Sequence, residues 1–164
     1  ELTSKKFCYH LTLREKLTLI QGNSGKGKTE FTHRISSSNA NQLRISNGWD
    51  LVVLTRDMFS LMIKKALSHS KEIDSLDEQA IQKFLKDYWS SEDNFPLPGQ
   101  SIYLIDDDDF VRSNSFVTLF ECDTENYYVI INRSSLPNLS NFANEVYFFV
   151  TEGRNHYLEQ NIEC

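Results

Sequence analysis

The octapeptide Gly22-Asn23-Ser24-Gly25-Lys26-Gly27-Lys28-Thr29 constrains this chain more than any other stretch. It fits the spacing G-x-x-x-x-G-K-[ST] and holds three of the chain's six glycines. Gly22, Gly25 and Gly27 free the backbone for angles and close approaches that a Cβ forbids. The apolar run Leu17-Thr18-Leu19-Ile20 precedes the loop and reads as a buried strand. Lys28 to Ile35 follows, with Phe31 and Ile35 at helical spacing. Strand, glycine loop and helix in that order aim successive backbone N–H groups into one cavity. The positive end of the helix stands behind them, so the cavity suits phosphate oxygens. Lys28 is spaced to reach β- and γ-phosphates, and the Thr29 hydroxyl to ligate Mg²⁺.

The rest of the chain alternates strands with helices. Phe7 to Leu13 alternates apolar and polar residues, as a strand does. It either pairs with the Leu17–Ile20 strand as a hairpin or forms an antiparallel edge strand outside the main sheet. Ser36 to Asn41 is a break. Leu51 to Leu54 is a short strand, and Asp57 can cap the helix after it. Met58, Leu61, Met62, Ala66 and Leu67 form that helix's apolar face. Ser75 and Glu78 have capping-box spacing for a second helix carrying Ile81, Phe84, Leu85 and Tyr88. Asp93 to Gln100 is turn-rich. Ile102 to Ile105 is a strand, Phe110 to Phe120 a helix and Tyr127 to Ile131 a strand. Ser134 to Asn144 is loop with a short helix, and Val146 to Val150 is the last strand expected. The tail from Asn155 holds little apolar material beyond Tyr157, Leu158 and Ile162. Trp49 and Trp89 read as packing residues near element ends. Continuous apolar strands imply burial on both faces, hence an α/β layered domain with a mostly parallel sheet. Without repeats or linkers, residues 1–164 read as one domain.

The strand Ile102-Tyr103-Leu104-Ile105 ends in four aspartates. Asp106, at the strand end, is the candidate that holds Mg²⁺ opposite Thr29. A hard, strongly hydrated cation needs only a carboxylate and a hydroxyl from the protein. Asp107 can orient an attacking water. Asp108 and Asp109 suit an N-cap and a first-turn charge for the helix that follows.

These two segments resemble the Walker A motif (Gly22 to Thr29) and the Walker B motif (Ile102 to Asp106) of the P-loop NTPase superfamily. Asn132, after the strand Tyr128 to Ile131, resembles the sensor position of the additional-strand ATPases, the group of AAA-type and ABC-type proteins. The resemblance spans roughly residues 17 to 150. It implies a three-layer fold in which the sensor strand lies between the Walker A and Walker B strands. It also implies ATP or GTP with Mg²⁺ as cofactors, and a catalytic set of Lys28, Asp107 and Asn132. Gly22, Asn23, Ser24, Gly25, Lys26, Gly27, Lys28 and Thr29 would bind the nucleotide, and Thr29 and Asp106 the metal. Arg112, Arg133 and Arg154 are candidate charge stabilisers. Many relatives carry glutamate where this chain has Asp107. An LSGGQ-like signature and the guanine-reading N-K-x-D are absent, and an AAA-type lid is not expected within these 164 residues.

Three readings stay open: an ATPase that drives or switches a partner interaction, a nucleotide-responsive binding module that hydrolyses little, and a small-molecule kinase. Protein partners or self-association fit the first two. The net charge of -6 argues against a general nucleic-acid coater, which neutralises phosphate with basic residues. Its 40% hydrophobic and 24% charged residues suit a folded core rather than a disordered chain. No apolar run reaches the roughly 20 residues a membrane span needs. Cys8, Cys122 and Cys164 are far apart and odd in number, which fits reduced thiols in a cytoplasmic protein. The four histidines show no metal-binding spacing, and there is no G-x-S-x-G elbow.

Overall fold

The computed structural model describes residues 13–22, 48–71, 77–106, 108–133, 135–142, 145–152 and 155–160, the last two stretches by their backbone. The expected strand at Phe7 to Leu13, the helix at Lys28 to Ile35 and the break at Ser36 to Asn41 lie outside the described residues, except that Leu13 itself carries no regular structure. The chain divides into two compact units: Glu1–Val53, Gln100–Asp107 and Asn126–Cys164 make the first, and Leu54–Gly99 with Asp108–Glu125 the second.

Among the described residues, the first unit is a sheet of six strands: β1 (Leu17–Gln21), β2 (Asp50–Val53), β3 (Ser101–Asp106), β4 (Tyr127–Asn132), β5 (Glu145–Glu152) and β6 (Asn155–Gln160). Their spatial order is β2-β3-β4-β1-β5-β6. Every neighbouring pair from β2 to β5 is parallel, and β6 runs antiparallel to β5. This is the mostly parallel α/β class that the sequence pattern implies. The strand bearing Asn132 lies between the strand leading to Gly22 and the strand ending in Asp106. That is the order the additional-strand resemblance predicts.

Burial explains why the apolar runs were readable. Thr18, Ile20 and Leu17, Leu19 point to opposite faces of β1, and all four are buried. The same holds for Ile102 to Ile105 in β3 and Tyr128 to Ile131 in β4. Strands covered on both faces have no polar alternation to show. The edge strand β2 is only half-buried. At the amino end of the sheet, Trp49 packs its ring 5.2 Å from that of Tyr127. Nearby, the buried Asn126 Oδ1 accepts the Ser101 backbone N–H at 2.9 Å, supplying the partner that a buried amide requires.

Two expectations for this unit change. β2 begins and ends one residue earlier than Leu51–Leu54. The tail from Asn155, noted only as poor in apolar residues, forms β6. An edge strand is held by ladder hydrogen bonds along one side, so it needs no apolar run to form.

The second unit holds the helices α1 (Arg56–Leu67), α2 (Glu78–Trp89) and α3 (Asn114–Cys122), with a 3₁₀ turn at Asp109–Arg112. The cap of α1 is Thr55, whose side chain accepts from the Met58 backbone N–H; Asp57 instead lies in the first turn. Of the apolar face expected for α1, Ala66 is buried and Met58, Met62 and Leu67 are half-buried, but Leu61 is 65% exposed and Phe59, outside that set, is buried. Phe59 stacks on Phe110 at 5.0 Å and meets Phe116 edge-on at 6.1 Å, which fixes the phase.

α2 is capped by Asp77, not Ser75, which lies outside the described residues. The Asp77 Oδ1 accepts the Ala80 N–H at 2.8 Å. Asp77→Ala is expected to cost about 1 kcal/mol of stability, read as a lower urea midpoint at unchanged slope. The stretch Phe110 to Phe120, read as one helix, is two elements divided at Ser113. That residue ends the 3₁₀ turn and caps α3 by accepting from the Phe116 N–H. Trp89 and Leu85 are buried in this unit, with Phe116, Leu119 and Phe120.

Candidate functional site

In an open parallel sheet, the connections leave a crevice outside the carboxyl ends of the strands, and ligands bind there. Three residues singled out by their sequence context lie at that edge. Gly22 directly follows β1, Asp106 closes β3 and Asn132 closes β4. These strands are neighbours in the order β3-β4-β1, spaced by about 4.8 Å each as in any sheet. Residues separated by 110 positions in the chain, Gly22 and Asn132, thereby reach adjacent strand ends.

The register adds which way these side chains point. Asp106 pairs with Ile131, and Asn132 pairs with Gln21. Directly paired residues share a face and consecutive ones alternate. Asn132 and Gln21 therefore lie on one face, and Asp106 on the other. Asn132 is 6% exposed, a buried carboxamide at the rim of the apolar core. Asp106 is exposed. Sequence reading passed over Gln21. Its signal was present: it is the one polar residue that closes the buried run Leu17 to Ile20 before Gly22.

Asn23, Ser24, Gly25, Lys26, Gly27, Lys28, Thr29 and Asp107 lie outside the described residues, as does Arg154. Arg133 follows Asn132 and is exposed. Arg112 lies in the 3₁₀ turn, 3.8 Å from the Asp109 carboxylate.

The remaining aspartates after the strand take the structural parts expected of them. Asp108 caps the 3₁₀ turn, its Oδ1 accepting the Phe110 N–H at 3.3 Å, and Asp109 begins that turn. The same Asp108 oxygen accepts from Arg56 Nε at 3.0 Å and Nη2 at 2.7 Å. The hydrogen bond to Asp108, and then its charge, raise the Arg56 guanidinium above its ordinary value. Arg56 opens α1, where a cation opposes the helix dipole, and Asp108 compensates. With Arg56 well exposed, this pair adds little to stability.

No protein-family model matches the sequence. No curated protein matches it. Among solved structures, the chain is similar to an RNase-L inhibitor at 14% identity and a TM-score of 0.47, covering 87% of this chain and 34% of that one. It is also similar to the N-terminal domain of zonular occludens toxin from Neisseria meningitidis, at 14% identity and a TM-score of 0.42, covering 92% of this chain and 85% of that domain. A nucleotide-free ATP-binding cassette from an ABC transporter aligns at 16% identity and a TM-score of 0.42, over 81% and 76% of the two chains. This chain thus spans about a third of the first of these structures.

Among the described residues, no helix is long and apolar enough to cross a membrane. Cys122 is a free thiol.

Proposed function

We propose that this chain is a single Mg²⁺-dependent, ATP-binding P-loop domain that hydrolyses ATP to drive or switch the engagement of a protein partner or a second copy of itself. One observation carries the reading: the strand order β3-β4-β1, with Gly22, Asp106 and Asn132 at three adjacent carboxyl ends. A glycine-rich octapeptide alone could be a surface turn. The same octapeptide beside a strand-end aspartate and a strand-end asparagine, in that spatial order, is the constellation phosphoryl chemistry needs.

In this reading Lys28 and the backbone N–H groups of Gly22 to Thr29 bind the phosphates. GTP would bind the same way, since these contacts do not touch the base. Residues fit a hard divalent cation: the exposed Asp106 carboxylate and the Thr29 hydroxyl are both oxygen donors. Bound Mg²⁺ neutralises phosphate charge and orients the γ-phosphoryl group. Asp107 accepts a proton from, and aligns, the attacking water. Asn132 donates its amide N–H to a γ-phosphate oxygen or to that water.

Asp107 also favours a second reading. It is one methylene shorter than the glutamate that many additional-strand ATPases carry at that position, which limits its reach toward a water. A chain that binds ATP but turns it over slowly would act as a nucleotide-responsive binding module. Calorimetry with ATP, GTP and ADP, with and without Mg²⁺, followed by steady-state phosphate release, separates the cases. Tight Mg²⁺-dependent ATP binding with turnover supports the ATPase, and binding without turnover supports the module. No binding of any nucleotide would sink both.

A further inference from the structure

We infer that Gln21 is a γ-phosphate-sensing partner of Asn132, deepening the nucleotide-binding reading on which it rests. Gln21 ends β1 and pairs with Asn132 at the end of β4. The two residues share one face of the sheet, on adjacent strands about 4.8 Å apart. Gln21 also pairs with Phe148 of β5, so it occupies an interior position of the sheet.

That position is a costly one for a primary amide. β1 is buried along Leu17, Thr18, Leu19 and Ile20, and Asn132 is itself 6% exposed. Gln21 is half-buried between them and Gly22. A carboxamide at a buried strand end loses water contacts and needs hydrogen-bond partners to compensate. Strand propensity and packing would favour a β-branched or aromatic residue here instead. An amide at each of two paired positions supplies two N–H groups apiece. Together they can hold oxygens of a terminal phosphate, which ATP has and ADP lacks, at the strand end from which the glycine loop departs. Charge-neutral donors suit this task because they bind the γ-phosphate without competing with Lys28 or Mg²⁺ for its charge.

The experiment compares ATP and ADP affinities by calorimetry, with Mg²⁺, for the wild type, Gln21→Met, Gln21→Glu, Asn132→Ala and Gln21→Met/Asn132→Ala. Methionine keeps length and flexibility and removes both hydrogen-bonding atoms. We expect Gln21→Met to weaken ATP about tenfold and ADP by less than about twofold, the size of one lost hydrogen bond to a charged group. Gln21→Glu sets an anion against the γ-phosphate, and its ATP loss is expected to exceed that of Gln21→Met at unchanged ADP affinity. The double variant is expected to lose less ATP affinity than the product of the single losses, because the two amides share a target. A purely structural Gln21 would move ATP and ADP together. Equal losses for both nucleotides, or no loss in Gln21→Met, overturn the inference. Failure of the wild type to bind either nucleotide instead overturns the underlying nucleotide-binding reading.

Discussion

Lys28→Ala is expected to weaken ATP binding by about 100-fold. The Lys28 ammonium is a compact charge with three donors, and the phosphates it would meet carry full negative charge. Hydrogen bonds to charged groups contribute roughly 1.5–3 kcal/mol each, and 1.4 kcal/mol is tenfold in affinity. Losing the side chain therefore removes about two decades. Lys28→Arg should restore little of this, since a planar fork does not reproduce a point charge on a flexible stem. The unfolding midpoint without nucleotide should stay near that of the wild type, because Lys28 is no part of the apolar runs of the sequence. Calorimetry checks the first expectation and thermal unfolding with and without ATP the second. An affinity within about threefold of the wild type would remove the glycine loop from the proposed site.

How far the sequence reaches is clearest from particular elements. β1, β3 and β4 were legible because each is buried on both faces and so appears as an unbroken apolar run. Asp106 and Asn132 were legible for the same reason, since each interrupts such a run at its carboxyl end, and Gly22 because it opens the glycine octapeptide. Helix ends were not. Asp57 and Thr55 are both good cap residues two positions apart, and the choice depends on where β2 stops. The phase of α1 was also hidden. Leu61 and Phe59 both fit a helical stripe, and ring packing of Phe59 against Phe110 and Phe116 decides between them. Those aromatic partners lie some fifty residues away, beyond any local window. The pairing of Gln21 with Asn132 was likewise out of reach, because register between β1 and β4 is a property of the assembled sheet.

Asp107→Asn is expected to lower ATP turnover by about 100-fold or more while ATP affinity changes by less than about threefold. The two effects separate because a general base acts on the attacking water rather than on the bound phosphates. Positioned acid–base groups contribute roughly 10²–10⁴-fold to rate. Asparagine keeps the shape and polarity of aspartate but cannot take a proton. Asp107→Glu supplies the complementary variant. It has the length that many additional-strand ATPases carry at this position, so turnover should rise if the shorter carboxylate limits reach, and fall if this site is built around aspartate. The register pairs Asp106 with Ile131, and the next residue of β4 is Asn132. Phosphate release for the three proteins, with calorimetry on each, reads both quantities. Full turnover in Asp107→Asn would exclude this residue as the base. A wild type that binds ATP tightly, does not turn it over, and gains turnover in Asp107→Glu would identify the missing methylene as what makes the chain a binding module rather than an ATPase.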